Sequence, residues 1–443
     1  MPAIPRVAKE TAVIGLDIGT SLIKAVEMRA TRGQLQLLNV AIRPTPAGVI
    51  SNGVIVDAHT LGTAVRGLLG QHGFRTRAVV ASVAGQSSLV VRPIEVPKMS
   101  RAELDDTMRW EVERHIPFAA SEVVMDYQPL VEPEEIPESQ PNMEVLLAVA
   151  QEDMVNAYID VLRVAGLEAR ALDIEPLASC RSLIDMSAED GSYDRTTALL
   201  NMGATTTDIS VVRKGLLSFS RPIPLAGETL TAAIGEALKR EPAEAERLKK
   251  ELGRVAVGAA AQVQPPPEAP SPPPAAPAAL IARVEGEGEE EEPKAVFDLS
   301  EELADQMPAP RREAGPQLQQ APEPEQAAQL PETAEPRAAL EDRVYQAIAP
   351  TLAEMVGEIR RSLEYFQSRY PDDRVERVVL FGGTALLPDL DRFLTNELAL
   401  TVEIGNPLGY LSAMPAHLPA GYLRQIACLL PVAVGLALRE MLE

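Results

Sequence analysis

The chain holds 443 residues, enough for two or more globular domains with cores of their own. Hydrophobic residues make up 46% and charged residues 24%, ordinary for globular domains, but aromatics are only 4%, so Leu, Val, Ile and Ala must fill the interior. A formal net charge of -23 argues against a broad electrostatic embrace of nucleic acid or anionic lipid, since both need clustered Lys and Arg.

Two cysteines, Cys180 and Cys428, exclude a disulfide framework and fit a reducing compartment, so the cytoplasm is expected. The first ten residues lack the apolar core of a secretory signal. The longest apolar stretch, 426–438, is interrupted by Pro431 and is shorter than the ~20 residues that span a bilayer. No transmembrane segment is expected, and any membrane association must come through a partner.

In chain order, residues 12–16 read as a strand, Gly19, Thr20 and Ser21 as a turn, and 22–28 and 34–42 as two further strands of a meander. A helix over 59–70 and a strand over 77–83 follow. Residues 87–149 differ in flavour: strands over 89–96, 123–130 and 144–150, with an amphipathic helix over 100–114 that Ser100 caps and Glu103 completes as a capping box. Residues 153–165 read as a helix. At 197 an apolar strand, a glycine turn and another apolar strand repeat the opening pattern. Residues 378–390 read as a buried strand, a double glycine and a helix.

Between 254 and 340 the composition breaks: 16 of the 38 prolines fall there, with 6 basic and 16 acidic residues. Pro-Pro-Pro at 265–267 and 272–274 and the acidic run 285–292 cannot bury enough apolar surface to offset chain entropy, so a disordered insert is expected. A short patch at 296–303 could dock weakly, but a solvated linker is the better reading. What remains alternates strands and helices, an α/β pattern. The expected division is a first lobe of 11–86, 171–196 and 420–443, an inserted subdomain of 87–170, and a second lobe of 197–253 and 341–419.

The segments Ile14-Gly-Leu-Asp-Ile-Gly-Thr-Ser-Leu-Ile-Lys-Ala-Val and Leu199-Leu-Asn-Met-Gly-Ala-Thr-Thr-Thr-Asp-Ile-Ser-Val each set a polar glycine turn between β-rich runs. A turn without side-chain bulk lets backbone N–H groups approach phosphate oxygens, hydroxyls add donors, and a carboxylate can hold a hydrated metal. One such hairpin is as well read as an ordinary β-turn, but two can grip a triphosphate from both sides. Val378-Val-Leu-Phe-Gly-Gly-Thr-Ala-Leu adds a place where a base or ribose can rest on bare backbone.

These three motifs, in this order, resemble the actin, hexokinase and heat-shock chaperone superfamily. The resemblance implies an actin-like, ribonuclease H-like two-lobed ATPase fold. More narrowly, the chain is similar to the PilM family of type IV pilus assembly, a relative of FtsA. That likeness rests on Gly15-Leu-Asp-Ile-Gly-Thr-Ser-Leu-Ile-Lys-Ala-Val-Glu, Met108-Arg-Trp-Glu-Val-Glu-Arg-His-Ile-Pro-Phe, Asp173-Ile-Glu-Pro-Leu-Ala and Ile359-Arg-Arg-Ser-Leu-Glu-Tyr-Phe. It covers nearly everything except the insert.

The resemblance implies ATP and Mg²⁺. Asp17 should face the hydrated metal, and Gly19, Thr20, Ser21 and Lys24 the phosphates. Gly203, Ala204, Thr205 and Thr206 should wrap the outer phosphates, with Asp208 either near the metal or bonded to its own turn, the turn role slightly favoured. Gly227-Glu228-Thr-Leu-Thr231 should start a helix whose first N–H groups point at the ligand. Glu246 and Lys249, three apart on one helical face, should reach the ribose and base, although without the family an exposed ion pair is the better reading. Gly382, Gly383 and Thr384 complete the base side.

One departure stands out. Where the superfamily places Asp at the start of its second hairpin, this chain has Asn201, which can accept a hydrogen bond at the metal site but brings no charge, so metal retention and hydrolysis should be weaker. Glu175 resembles the glutamate that chaperones place near the attacking water; a helix N-terminal Glu beside Pro176 is an equally good reading. The expected function is a cytoplasmic, ATP-responsive pilus scaffold with slow or no hydrolysis, serving pilus biogenesis, twitching motility or DNA uptake. The inserted subdomain should take the N-terminal cytoplasmic tail of a PilN-like inner-membrane protein, with other pilus components and self-association also open. The alternatives are an FtsA-like division protein and a small-metabolite kinase of the same fold.

Overall fold

The computed structural model describes residues 12–31, 34–85, 88–184, 193–255 and 336–442. The chain opens with β1 (Ala12–Ile18), β2 (Leu22–Thr31) and β3 (Gln34–Pro44), a two-stranded ribbon of β4 (Ile50–Ser51) and β5 (Val54–Ile55), then α1 (Ala58–Gln71) and β6 (Ala78–Val83). A small antiparallel unit follows: β7 (Leu89–Pro97), α2 (Arg101–His115), β8 (Val123–Pro129) and β9 (Asn142–Gln151), with strand order β7-β9-β8. Ser100 caps α2 in the expected reciprocal box with Glu103. Then come α3 (Glu152–Ala165), β10 (Glu168–Ile174) and α4 (Glu175–Leu183).

The second lobe holds β11 (Thr197–Met202), β12 (Thr207–Arg213), β13 (Leu216–Ile223), α5 (Gly227–Leu238), α6 (Pro242–Leu252), the long α7 (Arg337–Arg369), β14 (Arg377–Phe381), α8 (Leu390–Leu398) and β15 (Thr401–Ile404). The chain then reaches α9 (Ala420–Ile426) and α10 (Pro431–Leu438). Each lobe is built on one five-stranded mixed sheet, β3-β2-β1-β6-β10 and β13-β12-β11-β14-β15. In both, an antiparallel meander of three strands continues into two parallel strands. The repetition read in the hairpins therefore extends to the whole sheet.

Parallel strands cannot be joined by a tight turn, and this corrects the expected limits of the inserted subdomain. β10 pairs parallel with β6, and α3 is the crossover that brings it there, packing so closely on α1 that a Cβ at Gly62 would lie 2.7 Å from the Val161 carbonyl oxygen. The subdomain expected at 87–170 is thus 88–151 among the described residues, and 152–170 belong to the first lobe. Residues 412–413, expected in the second lobe, also move: Leu37 N–H donates to the Ala413 carbonyl and Ser412 N–H to that of Leu35, laying them along β3, while Gly405 N–H still donates to the Leu380 carbonyl of β14 at 2.8 Å.

The expected insert boundaries shift inward too. Val255 is buried, Arg254 pairs with Asp389 at 3.0 Å, and α7 starts at Arg337. The remainder, 256–335, including the proline and acidic runs and the 296–303 patch, lies outside the described residues. After the double glycine the chain first makes a 3-10 turn, Gly383–Leu386, and α8 begins only beyond Pro388.

Three layers of apolar packing hold this together. The first sheet is covered on one face by α1 and α3, the second by α5 to α8, and the inner faces of both share one core with α4 and α10. Every residue of α10 is buried. No single described helix is long and apolar enough to cross a membrane, and the apolar run over 420–438 bends by 88° ahead of Pro431. Backbones approach most tightly at two points: a Cβ on Gly15 would lie 1.8 Å from the Ala433 carbonyl oxygen, and one on Gly435 1.7 Å from that of Ala178. No rotamer relieves a clash with backbone. Gly435→Ala is expected to destabilise the protein by about 3 kcal/mol, to be measured by urea denaturation.

Candidate functional site

Side-chain alternation decides what faces the junction of the lobes. Along β1, Ile14, Leu16 and Ile18 join the α1–α3 core, so Val13, Gly15 and Asp17 turn to α4 and α10. Along β11, Ala198, Leu200 and Met202 join the outer core of the second lobe, so Leu199 and Asn201 turn to α4 from the other side. Glu175, the first residue of α4, meets them there: Asn201 Nδ2 donates to its Oε2 at 3.1 Å. Asp173 anchors this end of α4 by accepting from the Ile174 N–H at 2.8 Å and from Arg181 at 2.6 Å.

The two hairpins carry equivalent cross-strand pairs, Asp17 opposite Lys24 and Asn201 opposite Asp208. The first is an ion pair, with Lys24 Nζ 2.6 Å from Asp17 Oδ2 and Asp17 only 2% exposed. In the second an amide replaces one charge, and Asp208 accepts from Thr206 Oγ1 at 3.1 Å, within its own turn. The turns themselves match: Gly19 N–H donates to the Leu22 carbonyl at 3.0 Å and Gly203 N–H to that of Thr206 at 2.8 Å. A Cβ at either glycine would come within 3.0 Å of that same oxygen. The tips touch, Thr20 Oγ1 lying 3.5 Å from Thr205 Oγ1. Thr45, which no local signal marks, fixes the first turn by donating its hydroxyl to the Gly19 carbonyl at 2.7 Å and its N–H to that of Ser21 at 2.9 Å.

Beside the second hairpin, α5 departs from expectation. The Gly227 and Glu228 N–H groups donate to the Gly203 and Ala204 carbonyls at 3.2 and 2.8 Å, so they brace the hairpin instead of pointing at a ligand. Thr384 Oγ1 donates to the same Gly203 carbonyl at 2.8 Å. Lys249 Nζ lies 2.7 Å from Thr231 Oγ1, 2.7 Å from the Gly227 carbonyl and 2.6 Å from Glu246, whose carboxylate also accepts from Thr231 at 2.5 Å. Burial alone would raise Glu246, but Lys249, Thr231 and Lys250 together hold it below the usual carboxylate range. A Cβ on Gly382, at φ +95°, would stand 2.7 Å from Asn201 Oδ1, while one on Gly383 would meet nothing within 4 Å. Ser21 and Glu228 are exposed.

Asp17, Lys24, Glu175, Asn201 and Asp208 thus meet between the lobes, and Gly227, Thr231, Glu246, Lys249 and Thr384 form an adjoining wall braced on Gly203. Burial, followed by the charges of Asp17 and Asp208, pushes the Glu175 carboxyl up to about 8 against the pull of Lys24 and Asn201. Burial also raises Asp208 to about 6. Among the described residues no group of three or more His, Cys, Asp or Glu side chains is placed so as to hold a metal ion by itself. Oxygen donors on two facing bare turns suit a hard cation held mostly by water and by an anionic ligand.

Two duplicated sheets joined through α4 and α10, each offering a glycine hairpin to the junction, define an actin-like two-lobed protein. The family model described as Type IV pilus assembly protein PilM matches residues 15–260, more than half of the sequence, and the chain belongs to that family. The model for cell division protein FtsA matches residues 198–420. A solved PilM-PilN type IV pilus biogenesis complex is similar over 97% of this chain and 98% of its own, with 27% identity and a TM-score of 0.71. FtsA of Bacillus subtilis (strain 168) is 24% identical over 259 residues, 54% of this chain and 58% of its own length. FtsA of Pseudomonas aeruginosa is 26% identical over 257 residues, 54% and 60%. The chain thus spans less than two thirds of the length of these curated relatives.

The raised Glu175 has a consequence for stability. Unfolded, this carboxyl loses its proton near 4.5; folded, it keeps it to about 8, so between those values the fold binds the extra proton and stability falls as pH rises. Glu175→Gln is expected to be more stable than wild type at pH 8, with the difference shrinking toward pH 5. Urea melts of ligand-free protein at both pH values measure this, and equal stability at pH 8 would show that Glu175 ionises freely.

Proposed function

We propose that this protein is an ATP-responsive scaffold of type IV pilus assembly, cytoplasmic and held at the inner membrane through a partner. The observation that carries the reading is membership of the PilM family together with likeness to the PilM-PilN complex over nearly the whole chain. In this reading the inserted subdomain takes the N-terminal cytoplasmic tail of a PilN-like membrane protein, and further assembly components gather on the same chain.

The facing hairpins are the proposed phosphate grip: Gly19, Thr20 and Ser21 on one side, Gly203, Ala204, Thr205 and Thr206 on the other, with Lys24 adding positive charge. Thr20 and Thr205 must part to admit a phosphate chain, so occupancy and lobe angle are linked. The exposed backbone of Gly383, with Gly382 and Thr384, offers a rest for base or ribose beside Thr231, Glu246 and Lys249. Asp17, Asn201 and Asp208 are the proposed holders of Mg²⁺, which when bound supplies positive charge against the phosphates. Burial pushes the Glu175 carboxyl up to about 8 in the ligand-free protein and Asn201 tethers it, so little of the carboxylate form that could take a proton from water is present at neutral pH. Turnover should be slow, and ATP acts chiefly by setting the angle between lobes. A second reading, an FtsA-like division protein, is favoured by the match over 198–420; lipid co-sedimentation by the protein alone would support it.

Asp17→Ala is expected to weaken Mg²⁺-dependent ATP binding about tenfold or more, roughly 1.4 kcal/mol, in a filter-binding assay. Unchanged affinity would remove the metal assignment. Asn201→Asp should raise the rate of phosphate release. A labelled PilN-like tail peptide should bind the full chain with an affinity that depends on ATP, and no binding in either condition would end the scaffold reading.

A further inference from the structure

Glu144 lies in β9, inside the subdomain inserted into the first lobe, yet its partners belong to the second. Its Oε1 accepts from the Tyr370 hydroxyl at 2.6 Å and from Arg369 Nη2 at 3.4 Å, and its Oε2 accepts from Arg213 Nη2 at 3.2 Å. Arg213 closes β12, and its guanidinium stands 4.1 Å over the Tyr370 ring while its other nitrogen reaches Asp373 at 2.9 Å. Tyr370 and Asp373 follow directly on α7. Glu144, Arg213 and Asp373 are each about three-quarters covered, so solvent screens them only in part. Beneath the cluster β7 packs on β13, and Leu146 shares a core with Leu217.

The subdomain is covalently a long loop of the first lobe, entered after β6 and left into α3. Its polar ties to the second lobe make it a bridge between the lobes beside the α4 and α10 junction, whose core Leu146 joins. Changing the lobe angle must either carry the subdomain along with the second lobe or break a half-buried O–H···O contact, an ion pair and a cation–π contact together. We propose that the Glu144, Arg213 and Tyr370 cluster is a latch that couples the inserted subdomain to the second lobe, so that a nucleotide-set change of lobe angle reaches the surface that takes the partner tail. The latch rests on the nucleotide-responsive reading above, but its mechanical half stands without nucleotide.

The test uses the full chain and two conservative variants. Glu144→Gln removes the charge at constant size, and Tyr370→Phe removes the hydroxyl but keeps the ring under Arg213. Hydrogen–deuterium exchange is read in β9 and β13, and anisotropy from Trp110, the chain's one tryptophan, 77% exposed on α2, reports the subdomain. In ligand-free protein both variants are expected to exchange β9 amides about threefold faster or more than wild type. MgATP should change β9 exchange and Trp110 anisotropy in wild type but not in the variants, while ATP affinity stays within about twofold. Equal β9 exchange in wild type and both variants, or an undiminished MgATP response in the variants, overturns the latch. Failure of the wild type to bind ATP would count against the nucleotide reading alone, because the ligand-free exchange difference still decides whether the latch holds.

Discussion

At the centre of the molecule α10 lies directly on β1 and crosses α4 with backbone against backbone, at Gly15 and at Gly435. That approach sets where α4 starts, and α4 starts between the two sheets. Because strand side chains alternate, fixing α4 also fixes which residues converge on it: Asp17 from one sheet and Asn201 from the other, with Glu175 between them. The polar site is therefore a product of apolar packing. Its own hydrogen bonds refine a geometry that glycine and aliphatic contacts impose.

Within this frame the duplicated hairpins are alike in backbone and unlike in charge. The first compensates its buried carboxylate with Lys24 at 2.6 Å; the second pairs an amide with Asp208. An aspartate at 201 would add a carboxylate to a place where Glu175 is already held protonated by burial and by Asp17 and Asp208. Asn201 relieves that crowding and donates to Glu175, at the expense of a group that can hold a cation or activate water. In the proposed reading, this arrangement serves a ligand-responsive joint better than a rapid hydrolase.

In the proposed latch, the inserted subdomain gives such a joint an output. It belongs to the first lobe by sequence and to the second by its polar contacts, through Glu144 with Arg213 and Tyr370. An insertion attached to one lobe alone would travel passively with it. One that touches both must register any change between them, which is what a protein that assembles partners requires.

The sequence by itself determined the parts whose physics is local. The glycine turns at Gly19 and Gly203, the alternating strands around them, the Ser100 cap and the composition of 256–335 depend only on neighbouring residues, and Asn201 differs from the Asp that the superfamily resemblance implies. Only the tertiary structure decided the rest. It placed α3 and β10 in the first lobe, because a parallel strand takes its partner from far along the chain. It laid residues 412–413 along β3, turned the first amides of α5 onto Gly203 and Ala204, and brought Thr45 onto the Gly19 turn. It also joined Glu144 to Arg213 and Tyr370, side chains separated by 69 and 226 positions. None of these contacts leaves a trace in spacing or periodicity, because each is set by how sheets and helices pack and not by the residues adjacent in sequence.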